Sequence, residues 1–189
     1  MFYLFFACYK NFLYNVSRKR RGIMKILSLD LSTKSSGWAI FDNGMLRDYG
    51  CITSSSTDLL KRINVMVDGF KELIEKNNDI DKVVAEEVRP ENGLQNIKTH
   101  RALMWLQGVI AFTLYNYNKK ITLDLIYPSS WRAAIGIKTG RGIKRTSLKE
   151  KDMQFVKENY NLDVNDDIAD AICIGYSCSH DIETDINWE

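Results

Sequence analysis

The sequence predicts a single α/β domain built on a mixed five-stranded sheet whose first three strands are antiparallel, flanked by helices. Its 189 residues suffice for one domain with a proper core. Short apolar runs of strand length come first, and helical patterns then alternate with further strands. Hairpin strands followed by helix–strand–helix–strand units are typical of an α/β domain with a mixed sheet.

The first three predicted strands form consecutive hairpins. Residues 24–31 make an apolar run typical of a buried strand, and residues 37–42 read as the second strand. Asn43-Gly44 is the strongest short hairpin signal, so residues 45–52 should pair back as the third. The later elements are predicted as a helix over 57–77 after a Ser/Thr cluster, a strand over 82–86, a helix over 92–118, a strand over 121–126, and helices over 129–135, 146–160 and 166–178.

The predicted helix over 92–118 is apolar around most of its circumference. Such a helix is usually buried on more than one side. Two arrangements are open at this point: packing between the sheet and a second subunit, or a deep core position in a monomer.

Residues 1–23 are predicted to be a leader or a mis-annotated N-terminal extension, with Met24 as the true initiator. The apolar start is too short to span a bilayer, and its basic residues follow the apolar run, unlike those of a signal peptide. A basic amphipathic anchor is the competing interpretation. The predicted organisation is therefore one folded domain over 24–180 and a tail over 181–189.

Charge and cysteine usage bound the function further. The formal net charge of the chain is +2. Residues 1–23 hold five basic groups and no acid, so the net charge of residues 24–189 is about −3. The folded part is thus not globally basic, although a local basic stretch can still steer a polyanion. The four cysteines lack metal-ligand spacing, which favours free thiols and a cytoplasmic setting with no membrane partner.

Four acidic residues occupy segments with core-like sequence: Asp30, Glu86, Asp167 and Asp170. Asp30 lies near the carboxyl end of a central predicted strand, where α/β folds place ligands. Asp167 and Asp170 are three residues apart and so share one helix face near its N-terminus. Converging carboxylates repel one another unless cations neutralise them, so this group predicts a metal-dependent nuclease site.

Two divalent ions about 3.5–4 Å apart suit phosphodiester hydrolysis, one activating water and one stabilising the leaving oxygen. Oxygen ligands favour Mg²⁺, with Mn²⁺ as an alternative, and two ions per site are expected. Strand alternation directs Glu86 and Glu87 to opposite faces, so only one should join the site. Each acid also has a simpler interpretation: Asp166 or Asp167 as a helix cap, and Glu87 as a solvated charge.

Three segments resemble the motifs of RuvC-type Holliday junction resolvases. Residues 30–38 (DLSTKSSGW) resemble the first motif, residues 84–88 (VAEEV) the second, and residues 167–171 (DIADA) the last. The resemblance, closest to the phage-like branch, implies an RNase H-like fold, a homodimer and paired nicks across four-way DNA junctions in recombination and repair. It also implies Glu86 as the ligand. Arg89 stands where relatives commonly have an aromatic residue, which favours phosphate contact over base stacking.

An acid-free basic segment precedes and opens the predicted helix over 146–160. Its glycines and cations suit a loop that grips phosphates. The candidate DNA-binding residues, together with Arg89, are Arg132, Lys138, Arg141, Lys144, Arg145 and Lys149. Lys149 and Lys151 resemble basic residues near the scissile phosphate in the family, and Lys151 is the candidate catalytic lysine.

Three other functions compete with junction resolution. An ATP-binding domain of the actin and sugar-kinase type would need a longer chain and leaves Asp167 and Asp170 unexplained. A catalytically idle DNA-binding protein would bind phosphate better without the carboxylates. A nuclease of the same fold that acts on flaps, RNA hybrids or transposon ends is the closest competitor.

Overall fold

The computed structural model describes residues 24–88 and 97–180. The described strands are β1 (Lys25–Asp30), β2 (Ser35–Asp42), β3 (Met45–Thr53), β4 (Lys82–Glu86) and β5 (Thr122–Ile126). They form one sheet in the order β3-β2-β1-β4-β5. The pairs β1–β2 and β2–β3 are antiparallel, while β1–β4 and β4–β5 are parallel. The predicted mixed sheet with an antiparallel first half is confirmed.

Helices cover both faces of this sheet. They are α1 (Leu59–Lys76), α2 (Ile97–Tyr117), α3 (Pro128–Ala134), α4 (Arg145–Tyr160) and α5 (Asp166–Ser179). Helices α1 and α2 pack on one face in one apolar cluster, and α3, α4 and α5 contribute to a second cluster on the other. No described helix combines the length and apolar character needed to cross a membrane.

The first hairpin turns as its sequence predicts. Asn43 and Gly44 have φ angles of 57° and 74°. Two consecutive positive φ values are the requirement of a type I′ turn, and asparagine followed by glycine tolerates them best. Helix α1 begins later than predicted because Asp58, rather than the Ser/Thr cluster before it, is the N-cap; its side chain accepts a 2.9 Å hydrogen bond from the backbone N–H of Lys61.

Helix α2 buries only one stripe of its surface. Ala102, Leu106, Ile110 and Leu114 are buried at i, i+4 spacing against the sheet and α1. The interpretation of a deep core helix in a monomer is therefore wrong for the described residues, since large apolar side chains on the opposite face are exposed. These exposed residues are Ile97, Met104, Trp105, Val109, Phe112 and Tyr115.

Helix α5 lies against β1 and β2 at unusually close range. A Cβ atom on Gly37 would come within 1.9 Å of the Asp167 carbonyl oxygen, and one on Gly175 would overlap Phe41 and Ser28. The Ser28 hydroxyl donates a 2.7 Å hydrogen bond to the Ala171 carbonyl, which fixes the helix on the sheet. The small residues of α5 thus bring its acidic N-terminus to the ends of the central strands.

Several predictions fall outside the described residues. They concern the N-terminal extension over 1–23, the tail over 181–189, the first turn predicted for the second helix over 92–96, and Arg89. Of the described cysteines, Cys51 and Cys173 are free thiols, and Cys173 is buried.

Candidate active site

A cleft of about 1170 Å³ opens at the carboxyl ends of β1 and β4. The beginnings of α1, α2, α4 and α5 and the short helix α3 complete its walls. Its lining includes all four predicted carboxylates: Asp30, Glu86, Asp167 and Asp170. The fold therefore brings together acids that lie up to 140 residues apart in the chain.

Asp30 is the electrostatic centre of the group. Burial raises its pKa to about 7, and repulsion by Glu86 and Asp167 contributes to the same shift. Lys149 and Arg145 oppose it without cancelling it. A carboxyl group with this pKa is costly to ionise near neutral pH in the absence of a further cation.

Glu86 is held by a tryptophan from α3. The indole Nε1–H of Trp131 donates a 3.0 Å hydrogen bond to Glu86 Oε2, and Trp131 is fully buried. Burial raises the pKa of Glu86 despite this bond. Glu87, the residue after the end of β4, also lines the cleft. That only one of the two glutamates joins the metal site stays a prediction.

Asp167 is oriented from the neighbouring strand rather than used as a helix cap. The Ser35 hydroxyl of β2 donates a 2.5 Å hydrogen bond to Asp167 Oδ2. The N-cap of α5 is Asn165, whose side chain accepts from the Ile168 N–H at 2.9 Å. Asp166 instead forms an ion pair with Lys149. Asp167 is thus free of the capping role that its position in the sequence allows.

Asp170 is the most strongly perturbed member. Burial, then repulsion by Asp30 and Asp152, raises its pKa to about 9, with Arg132 acting in the opposite direction. Its Oδ2 lies 3.7 Å from Arg132 Nη2, while its buried Oδ1 has no hydrogen-bond partner. A buried carboxylate oxygen without a donor is a position that a bound cation would satisfy.

The donor set fits a hard divalent cation. The four predicted ligands all offer carboxylate oxygens, as Mg²⁺ prefers, and Glu86 and Asp167 repel Asp30. Among the described residues, no three His, Cys, Asp or Glu side chains are already gathered into a complete metal-binding cluster. Asp167 and Glu86 are held by separate hydrogen bonds, from Ser35 and Trp131 respectively.

The basic residues predicted from sequence divide into two groups. Arg145 and Lys149 line the cleft beside the carboxylates. Lys138 and the candidate catalytic Lys151 instead line a separate concavity of about 390 Å³ with Gln154 and Glu158. Lys149 is therefore the α4 lysine at the cleft, because Lys151 lies two residues further along the helix and points elsewhere. Arg141 and Lys144 line neither.

Arg132 lines the cleft but differs from the expectation of a DNA contact. It is only 8% exposed and forms a bidentate ion pair with Asp152, which is 0% exposed. Its guanidinium also lies over the Trp131 ring at 4.0 Å. A cation paired with a buried acid and stacked on an indole ring inside the protein is not a mobile phosphate-gripping group.

Two features of the site were not predicted: the ion pair between Arg132 and Asp152, and part of the basic lining. Lys34, Arg62 and Lys98 also line the cleft. One signal for the pair was present: Asp152 and Val156 are four residues apart, which places Asp152 on the buried stripe of α4.

Comparisons with solved structures assign the fold. The structure is similar to Thermus thermophilus RuvC in complex with Holliday junction substrate, with TM-score 0.62, 13% identity, and coverage of 82% of this chain and 91% of that chain. A second T. thermophilus RuvC structure gives TM-score 0.59, 15% identity, and coverage of 82% and 92%. Ydc2, the yeast mitochondrial Holliday junction resolvase, gives a TM-score of 0.57 and 14% identity, with coverage of 82% of this chain and 79% of that chain.

At these identities the likeness shows the fold alone, and that fold is the RNase H-like one shared by RuvC-type resolvases. The chain belongs to the family described as Lactococcus phage M3 protein, whose sequence profile matches residues 23–180. No curated protein has significant sequence similarity to it.

Proposed function

We propose that the chain is a structure-selective DNA endonuclease that resolves four-way junctions and related branched DNA by paired nicks. The observation that carries the proposal is the convergence of Asp30, Glu86, Asp167 and Asp170 on one open cleft. RuvC and Ydc2, two proteins of the same fold, are described as bound to a Holliday junction and as a Holliday junction resolvase. Phosphodiester hydrolysis is the chemistry that such a carboxylate cluster serves best.

The four carboxylates would hold Mg²⁺, two ions per site, with Mn²⁺ as an alternative. When bound, the metal supplies an activated water and stabilises charge on the leaving oxygen. The chain's own residues do the rest. Ser35 and Trp131 orient Asp167 and Glu86, and the floor of the cleft keeps Asp30 and Asp170 largely out of water.

Positive charge along the cleft supports binding of a DNA backbone. Lys149 lies in the first turns of α4, lines the cleft and forms an ion pair with Asp166. Burial alone would lower the pKa of Lys149, but the contact with Asp166 outweighs burial and raises this pKa. The lysine therefore stays protonated and can stabilise negative charge that develops on a scissile phosphate. Arg145, Lys34, Arg62 and Lys98 extend the basic lining.

A homodimer would supply two such sites for two nicks. The exposed face of α2 supports it, because Trp105, Phe112 and Tyr115 are 49%, 68% and 58% exposed on one side of a single helix. Contiguous exposed apolar surface of this kind marks interaction sites. Gly108 lies on the same face with open space around it, so another helix could approach its backbone closely.

A nicking assay tests the proposal. Purified protein is incubated with a synthetic four-way junction and with linear duplex of the same sequence, with and without Mg²⁺. We expect Mg²⁺-dependent cleavage of the junction and none when Asp30→Asn replaces the wild type. Equal cleavage of both DNAs would count against junction resolution, and activity in Asp30→Asn would refute the metal site.

A further inference from the structure

Arg132 lies between two acids that it treats unequally. Its Nε lies 3.3 Å and 3.0 Å from the two carboxylate oxygens of Asp152, and its Nη2 donates to Asp152 Oδ2 at 2.8 Å. The same Nη2 is 3.7 Å from Asp170 Oδ2, too far for a hydrogen bond. Asp152 therefore binds the guanidinium through hydrogen bonds, whereas Asp170 lies near the guanidinium without a hydrogen bond to it.

This inequality leaves Asp170 available. Asp152 is fully buried, and its ion pair with Arg132 neutralises the guanidinium charge inside the protein. Asp170 Oδ1 has no partner, and Asp170 points into the cleft beside Asp30. If Arg132 turned fully toward Asp170, a bidentate pair would occupy the oxygens that a metal needs.

Asp152 also has no access to the cleft itself, since it is absent from the cleft lining while Arg132 and Asp170 are present. It is anchored through α4 and α5, because the Cys173 thiol lies 3.6 Å from the Asp152 carbonyl oxygen. Asp152 therefore acts on the site in two ways: its negative charge raises the pKa of Asp170, and its hydrogen bonds hold the Arg132 guanidinium.

We propose that Asp152 is a positioning residue that holds the Arg132 guanidinium away from Asp170 and so keeps Asp170 free to bind a divalent cation. The inference rests on the proposed metal-dependent function and adds a residue to it. A different result is expected if the ion pair has only a structural role. Loss of either partner would then lower the stability of the protein, and metal affinity would change only in proportion to the loss of folded protein.

The experiment measures Mn²⁺ binding to the full chain without DNA, by isothermal titration calorimetry and by the metal-induced shift in melting temperature. In Asp152→Asn the arginine loses its anionic partner and turns to Asp170, so Mn²⁺ affinity should fall by about tenfold or more. In the double variant Asp152→Asn with Arg132→Gln the arginine no longer competes for Asp170, and affinity should return to within about threefold of the wild type.

Two further variants keep the test decisive. Asp152→Leu with Arg132→Met replaces the pair with apolar side chains and carries the same expectation of recovered affinity, in case the amide pair does not fold. Asp79→Asn is the matched control, since it removes an ion pair with Lys25 at the far end of β1 and should leave Mn²⁺ affinity unchanged.

The outcomes separate this inference from the proposed function. Wild-type affinity in Asp152→Asn, or double variants that bind no better than Asp152→Asn, would overturn the positioning role. A wild type that binds no Mn²⁺ would overturn both claims. Mn²⁺ binding that follows the expected order, in a protein that does not cleave junctions, would support the positioning role and refute the substrate.

Discussion

At the scale of single residues, the site is a balance between buried carboxylates and a few donors that hold them. Asp30 and its charge repulsion by neighbours were foreseeable, because an acid at the end of an apolar central strand is costly without a purpose. The partners were not. Trp131 is 45 residues from Glu86 in the sequence, and Asp152 is 18 residues from Asp170. No local sequence spacing relates positions so far apart.

The two adjacent glutamates give a direct test of which side chain binds metal. Glu86→Gln removes a carboxylate that repels Asp30 and accepts from Trp131, and we expect junction cleavage to fall by roughly 100-fold or more. Glu87→Gln, the matched neighbour, should lower it by only about threefold. Rates are measured under single-turnover conditions, and the reverse order would reassign the ligand to Glu87.

Stability should depend on pH in an unusual direction. The pKa of Asp30 is raised to about 7 and that of Asp170 to about 9, so the folded state holds these protons more tightly than the unfolded chain. Metal-free protein should therefore lose stability as pH rises from about 4 to about 9. Thermal melts across this range test it, with Asp30→Asn as the comparison.

We expect Asp30→Asn to be more stable than the wild type by roughly 1–2 kcal/mol above pH 7, because it removes a buried charge and its repulsions. Mg²⁺ should stabilise the wild type at high pH and Asp30→Asn much less. Melting temperatures that rise with pH in the wild type would contradict the electrostatic account.

At the scale of elements, sequence patterns predicted what local physics controls. The Asn43-Gly44 turn and the strand over 82–86 lie where predicted, because turn geometry and apolar runs depend on few residues. The sequence of α2 did not predict which of its faces is buried. Its apolar circumference suits either a buried core helix or an interface, and only the tertiary structure shows that one face is exposed.

The contact between α5 and the sheet should tolerate no side chain at Gly37. In Gly37→Ala the new methyl would meet the Asp167 backbone at 1.9 Å, so α5 must shift and carry Asp167 and Asp170 with it. We expect a loss of roughly 2–4 kcal/mol in the free energy of unfolding and of nearly all cleavage activity. Denaturant unfolding and the nicking assay measure both. Wild-type values for Gly37→Ala would show that the close approach does not position the acids.

The exposed face of α2 should control oligomeric state. Phe112→Lys places a charge in the middle of that face and is expected to yield monomers by light scattering coupled to size exclusion. Leu60→Lys is the matched control, since Leu60 is 61% exposed on α1 and should leave the mass unchanged. A wild type that is already monomeric, alone and with junction DNA, would contradict the dimer.

At the scale of the whole molecule, an RNase H-like fold carries an acidic cleft with a basic rim. The fold was predictable from element order, and its four acids were predictable from their position in that order. The basic rim was predicted only in part. Arg132 is buried, and Lys151 lines a different concavity. Arg62 and Lys98 also line the cleft, although they lie on α1 and α2 and not in the predicted basic segment.

The most direct measurement uses a supercoiled plasmid that extrudes a cruciform, beside the same plasmid without the inverted repeat. Paired nicks across the junction convert the cruciform plasmid to full-length linear DNA, whereas uncoupled nicks give open circles. With Mg²⁺, we predict linear product from the cruciform plasmid, no cleavage of the control plasmid, and no product from Asp30→Asn. Open circles alone, or equal cutting of both plasmids, would contradict resolution of four-way junctions by this protein.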